Sequence, residues 1–535
     1  MLKKLLRISL VSFVLLGTIA WTSFKYLGLD DDGADSLDLT LETRWPDEEI
    51  GFKEVATLTR NFVIRQFNLR ATPSNIKKYD AEVKAKKLKE YARVYQDLPG
   101  KKPYGTRDVH RKTHGCFSGT VKVENQLFEN LNSRISQIRA ERATEKVSHG
   151  PLPELYSDPA MLGVFKPGAE YRSLVRYSNG HPLNRDDRTP DARGMAVKIL
   201  RPNSNAISTD ALQTNADTYL DILSINFPTF FVNEKDTARK YLKINEYFLQ
   251  GAEDFSSATN GKVQEGRAIL LTGLKTMEVR GALSANGSII ESPLFQEYFS
   301  MVPSRLGPTG MADAVKYFWV PEPCAQDLAA YENFEDAKRM QWPAWSQERH
   351  FSLPGLPLAK YDTAPWNSKT ASKYSADYLR QNLTKNLRDG SFCYGLYFQP
   401  YRDQLSTNIE DSSDLWLRDE DDRSRWVRDI VPTYWNPTWK AYSSDRDAYL
   451  KKIQSKKFVR PVRAATLTID KISENDRASN SQFCEDLSFN PWNGDIEHHK
   501  PLGVVSRLKR RVYNASRRTR HLINEIMSFS LERKK

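Results

Sequence analysis

The chain has 535 residues, 39% apolar and 27% charged, with a net charge of +12. That balance excludes a disordered or low-complexity chain, and the length allows several domains or one large barrel with additions. There is no repeat of fixed period, CxxC pair, P-loop, GxGxxG fingerprint or GxSxG elbow. Cysteine zinc modules, nucleotide-dependent folds and elbow-type serine hydrolases are set aside accordingly.

Residues 1–29, "MLKKLLRISLVSFVLLGTIAWTSFKYLGL", put Lys3, Lys4 and Arg7 ahead of an uncharged apolar run from Ile8 to Phe24. That order predicts an export signal, cleaved or retained as a membrane anchor, with the body of the chain outside the cytoplasm. Residues 30–50 follow as an acidic linker. Residues 51–106 carry two amphipathic, charge-rich stretches and predict an N-terminal helical arm, which the Pro and Gly of "LPGKKPYGTR" interrupt.

From residue 116 the texture changes to short alternating runs: "CFSGTVKVEN", "YRSLVRYSNG", "RGMAVKIL", "DILSINFPTFFV", "FCYGLYFQPY" and "RAATLTIDKI". Each predicts a strand. Helical spacing lies between them, in "TARKYLKINEYFLQGAEDF" and "SADYLRQNLTKNLRDG". Strands, then helices, then strands again predict an α+β fold with a mostly antiparallel sheet that can close into a barrel. The four cysteines, Cys116, Cys324, Cys393 and Cys484, suit free thiols or two bridges, and sequence leaves the pairing open. The basic run "RLKRRVYNASRRTRHL" suits a solvated helix face, an anionic polymer or surface, or an anionic cofactor.

"RDVHRKTHGCF" places His110 and His114 four apart. Two histidines at that spacing on a helix can bind zinc, but the residue after the first is Arg111, not glutamate. Gly115 and the alternation after it also oppose a helix through His114.

Four stretches in chain order, "RDVHRKTHGCF", "RYSNGHPLNRDDRTPDARGMAVKI", "LDILSINFPTFFV" and "GVVSRLKRRVYNASRRTRH", resemble haem catalases. "EDLSFNPWNGDIEHHKPLG" is similar to the family segment just before its iron-ligand block, and the family's long C-terminal helical extension is missing. The resemblance spans about residues 107–524, with insertions, ahead of a basic tail at 525–535. It implies a catalase-like antiparallel β-barrel core with surrounding helices, of the small catalase-related peroxidase type.

The same resemblance implies a haem b cofactor with ferric iron, whose tyrosinate ligand matches Tyr513. Arg107, Arg176 and Arg520 match the arginines that hold the propionates, and guanidinium suits a carboxylate by bidentate geometry. His110 matches the distal acid/base residue, Ser178 the serine orienting it, and Asn226 the amide that places peroxide; His114 has no counterpart. Tyr298, with Arg305 seven residues on, imitates the ligand block, but it precedes the last two barrel strands, so chain order favours Tyr513.

The implied activity is reduction of hydrogen peroxide or a small organic hydroperoxide through a ferryl intermediate. Alternatives are rearrangement of a fatty-acid hydroperoxide, as in allene oxide synthase-like relatives, and a haem-free binding protein on the same barrel. No nucleic-acid partner is expected. Departures from the family are Lys509 where an arginine stands one turn before the tyrosine, and the lengths of 124–170 and 320–460.

Overall fold

The computed structural model describes residues 41–42, 107, 110–146, 150–180, 187, 191–202, 211–230, 290, 292–322, 324, 375, 377–431, 446–473 and 481–532. The signal segment 1–29, the helical arm 51–106 and the helix expected at 237–255 lie outside these residues. No described helix is long and apolar enough to cross a membrane.

Strands β1 (Thr113–Val123), β2 (Glu170–Asn179), β3 (Arg193–Leu200) and β4 (Thr218–Ile225) pair in sequence order, all antiparallel. The two-residue strands β5 (Tyr298–Phe299) and β6 (Ser304–Arg305) follow, and both pair with β7 (Ala314–Glu322). β8 (Phe392–Pro400) and β9 (Val462–Ile469) complete the set, with β9 returning to β1. Because β5 bridges β4 and β7, the sheet closes into an antiparallel barrel, which leaves no long unpaired edge.

Period-two alternation decides which side chains fill the barrel. Phe117, Val175, Tyr177, Met195, Val197, Tyr317, Trp319, Leu396 and Leu467 share one core cluster. Each fully buried side chain of this size contributes about 2–3 kcal/mol of transfer free energy. Their neighbours on the other face point outward and need separate cover.

That cover comes from helices. α1 (Leu127–Ala143) buries Leu127, Leu131, Ile135 and Ile138, a stripe at helical spacing. α2 (Tyr378–Asp389) buries Tyr378, Leu379, Leu383 and Leu387 in the same manner. The short α3 (Ser481–Asp486) is bridged to β1 by Cys116–Cys484, and Cys324–Cys393 ties the end of β7 to β8. Finally α4 (Val504–Glu532) takes in most of the expected basic tail, running to residue 532.

Three expectations change. The strand expected over 221–232 ends at Ile225, and the chain turns at Phe227 and Pro228. β7 was not anticipated, although Val315, Tyr317 and Trp319 alternate into the core. The acidic linker is not a free spacer where it is described: Leu41 and Glu42 are buried. Leu41 packs with Ala312, Tyr401, Ile409 and Leu502, and Glu42 accepts from Lys500, Arg507 and the Gly503 N–H.

Candidate active site

Ser178 of β2 lies in register with Gly194 of β3, Gly194 with Ile225 of β4, and Ile225 with Phe299 of β5. This row and its neighbours form one wall on the outer face of the barrel. The C-terminal segment adds further lining residues, Phe489, Pro491, Lys509 and Tyr513. Together they line a solvent-connected cavity of about 80 Å³, smaller than most small-molecule sites.

Arg107, His110, Arg176, Ser178 and Tyr513 all line this cavity. It therefore gathers residues up to 406 positions apart in sequence (Arg107 to Tyr513). His110 adopts a positive φ of 53° and is pinned by a bond from its N–H to the Gly180 carbonyl, 3.2 Å. The Nδ1 of its ring is 3.2 Å from Ser178 Oγ. The ring lies against Gly194, where a Cβ would fall 2.6 Å from Nδ1 and 2.8 Å from Cε1. Glycine is required at that position by close approach, not by backbone angle.

Burial pushes His110 down to about 3, helped by the positive charges of Arg176 and Lys509. The imidazole is thus neutral at ordinary pH, with one nitrogen free to accept a proton. Arg176 donates from Nη2 to the His110 carbonyl at 2.7 Å and lies 3.7 Å from Glu485. Its buried Nε has no partner among the described residues.

Arg107 is a cavity residue, but its guanidinium is already engaged. It pairs with Glu485 at 2.9 Å and donates to the Cys484 and Leu487 carbonyls. Arg520 is buried behind the wall and donates to the Leu487 carbonyl at 3.3 Å. The α3 segment, fastened by its disulfide, thus anchors two of the three expected carboxylate-binding arginines. Glu485 and these carbonyl partners were not foreseen.

Asn226 is not among the cavity-lining residues. Its Oδ1 accepts from the Arg193 N–H at 2.7 Å, and its own N–H donates to the Arg193 carbonyl at 2.9 Å. Ser224 and Ile225 form the wall there instead.

Lys509 reaches the cavity one turn before Tyr513, with its ammonium 4.2 Å from the centre of the Phe230 ring. Burial pushes it down to about 7. Tyr298 belongs to the barrel core: its hydroxyl donates to the Pro293 carbonyl at 2.7 Å, and its ring packs on Tyr177 and Tyr394. Arg305 is spent on the carbonyls of Ile496, Glu497 and Gly307. The rival tyrosine is thus a packing residue.

His114 points away from the cavity, and its Nε2 is 2.8 Å from Asn179 Oδ1. With Asp187 and Asp377 it has a spacing that would suit a metal ion. The Lys112 ammonium already sits there, 2.8 Å from Asp187 and 3.3 Å from Asp377. An ion would have to displace a buried cation, so the two histidines of the opening motif serve different places.

No family model matches the chain, and no curated protein matches it. Among solved structures it is similar to one described as "Structure of a bacterial catalase", at 15% sequence identity and a TM-score of 0.40. That match covers 78% of this chain and 58% of the other, so the chain spans less than two thirds of its length.

Proposed function

We propose that the chain is a haem-dependent enzyme that reduces hydrogen peroxide or a small organic hydroperoxide. The observation that carries this reading is the meeting of Arg107, His110, Arg176, Ser178 and Tyr513 around one cavity. The donor set suits the cofactor: a phenol, a neutral imidazole, and the orphaned Arg176 Nε as a donor for a carboxylate, all at one cavity. In this reading Tyr513 holds the iron, Arg176 holds a propionate, and Arg107 and Arg520 add positive field from their fixed places. Bound haem would supply a redox-active ferric centre at which a peroxide O–O bond breaks.

The chain's own part is proton handling. His110 takes the proton from one peroxide oxygen and returns it to the other, the leaving oxygen. Ser178 fixes the ring through Nδ1, and Gly194 lets it lie close to the barrel wall. Lys509, a point charge where the family has a planar guanidinium, gives the Tyr513 side a different electrostatic environment.

Both cysteine pairs are bridged, which favours an oxidising compartment and supports export by the N-terminal segment. A membrane anchor at 1–29 remains part of the proposal.

Replacing His110 by Gln should lower peroxide consumption by about 10²–10⁴ and leave haem absorption in place. His114→Gln should spare both. Equal loss from the two variants would refute the assignment.

A second reading, rearrangement of a fatty-acid hydroperoxide, draws on the apolar part of the wall: Leu223, Ile225, Met301, Val302 and Phe489. Product analysis separates the two, since reduction takes two electrons from a donor and yields an alcohol and water, whereas the allene oxide route loses water and consumes no donor.

A further inference from the structure

The segment Ser300–Val302 closes the row of the cavity wall that begins at Ser178. Met301 has a φ of 60°, and the Val302 N–H donates to the Ser300 carbonyl at 2.6 Å. This is a three-residue turn with a positive central φ, a rare and strained form. It is held from both sides: Ser300 Oγ donates to the Val302 carbonyl at 2.9 Å and accepts from the Tyr317 N–H at 3.1 Å. The turn therefore keeps Met301 at the cavity.

Met301 differs from the other methionine of the lining. Met195 is 1% exposed and packs in the main barrel cluster; Met301 is also buried, at 7%, but lines the cavity from a turn outside that cluster. A thioether is a soft nucleophile toward peroxides. The described cysteines near by, Cys116 and Cys484, are bridged to each other. Met301 is therefore the reduced sulfur best placed to meet a peroxide that enters.

We propose that Met301 is a modification site, where a hydroperoxide guest of the cavity transfers one oxygen to the thioether. The sulfur attacks the terminal peroxide oxygen, an S–O bond forms and the O–O bond breaks. Sulfur is oxidised by two electrons and the peroxide is reduced. The proton on the transferred oxygen passes to the leaving oxygen, which departs as alcohol or water. The product is a polar sulfoxide on a formerly apolar part of the wall, reversible by methionine sulfoxide reductases. This rests on the proposed function only in taking a peroxide as the guest; the transfer needs no cofactor.

The test uses the purified full chain without added haem, exposed to a few equivalents of tert-butyl hydroperoxide, then digested and analysed by mass spectrometry. The Met301 peptide should gain one oxygen at least about tenfold faster than the Met195 and Met311 peptides, and faster than the more accessible Met161. Met301→Leu should remove that signal and leave the other rates unchanged. Oxidation of Met301 no faster than of Met195, or slower than of Met161, would overturn the assignment. Haem binding is read separately by absorption, so failure here is distinguishable from failure of the haem reading.

Discussion

Gly194→Ala isolates the role of the His110 wall. The added methyl would sit 2.6 Å from His110 Nδ1 and 2.8 Å from Ser178 Oγ, where ordinary contact begins near 3.4 Å. The ring must therefore retreat by about 0.8 Å, since β3 is held on both sides by β2 and β4. A displacement of about 1 Å in a reacting group costs on the order of 10² in rate. Overpacking adds about 1–3 kcal/mol of destabilisation, which a large barrel tolerates. The assay is the initial rate of peroxide consumption by haem-loaded protein, with the haem band recorded on the same sample. A loss of about 10–100-fold with an unchanged band is expected. A wild-type rate would mean that His110 does not act from this wall.

Two further outcomes concern stability. Burial pushes His114 down to about 3, so the unfolded chain binds a proton there below about pH 6.5 that the folded chain does not. Wild type should therefore lose stability relative to His114→Gln as pH falls from 6.5 to 5, by up to about 1.4 kcal/mol per unit. Urea midpoints of the two proteins measure this, and a constant gap across that range would contradict it. Glu42→Ala leaves Lys500 and Arg507 without one of their carboxylates. It should cost about 3 kcal/mol by denaturant unfolding; a change under about 0.5 kcal/mol, typical of a surface site, would mean that this segment is not docked.

β1, β2, β3, β8 and β9 were legible within a few residues from their alternating runs. β7 was not, although its burial is close to that of β3 and β8; both its faces are covered, with Lys316 over Trp416 and Phe318 stacked on Tyr397. β5 and β6, two residues each, carry no period to read. In the site, Arg107, His110, Arg176 and Ser178 were picked out by the resemblance of short blocks to catalases, and the structure brings all four to one cavity. Glu485 was not, because its bond to Arg107 spans 378 positions and depends on a disulfide that brings α3 onto β1. Asn226 shows the opposite limit: its residue type suits a peroxide contact, yet its amide oxygen is spent on the Arg193 N–H.

The central claim, that Tyr513 holds a haem iron opposite His110, is tested most directly by titrating the purified chain with haemin and recording absorption spectra of wild type and Tyr513→Phe. Wild type should bind saturably with an intense haem band, and the variant should show a shifted spectrum with weaker binding. No haem band in wild type, or identical spectra for the two proteins, would contradict it.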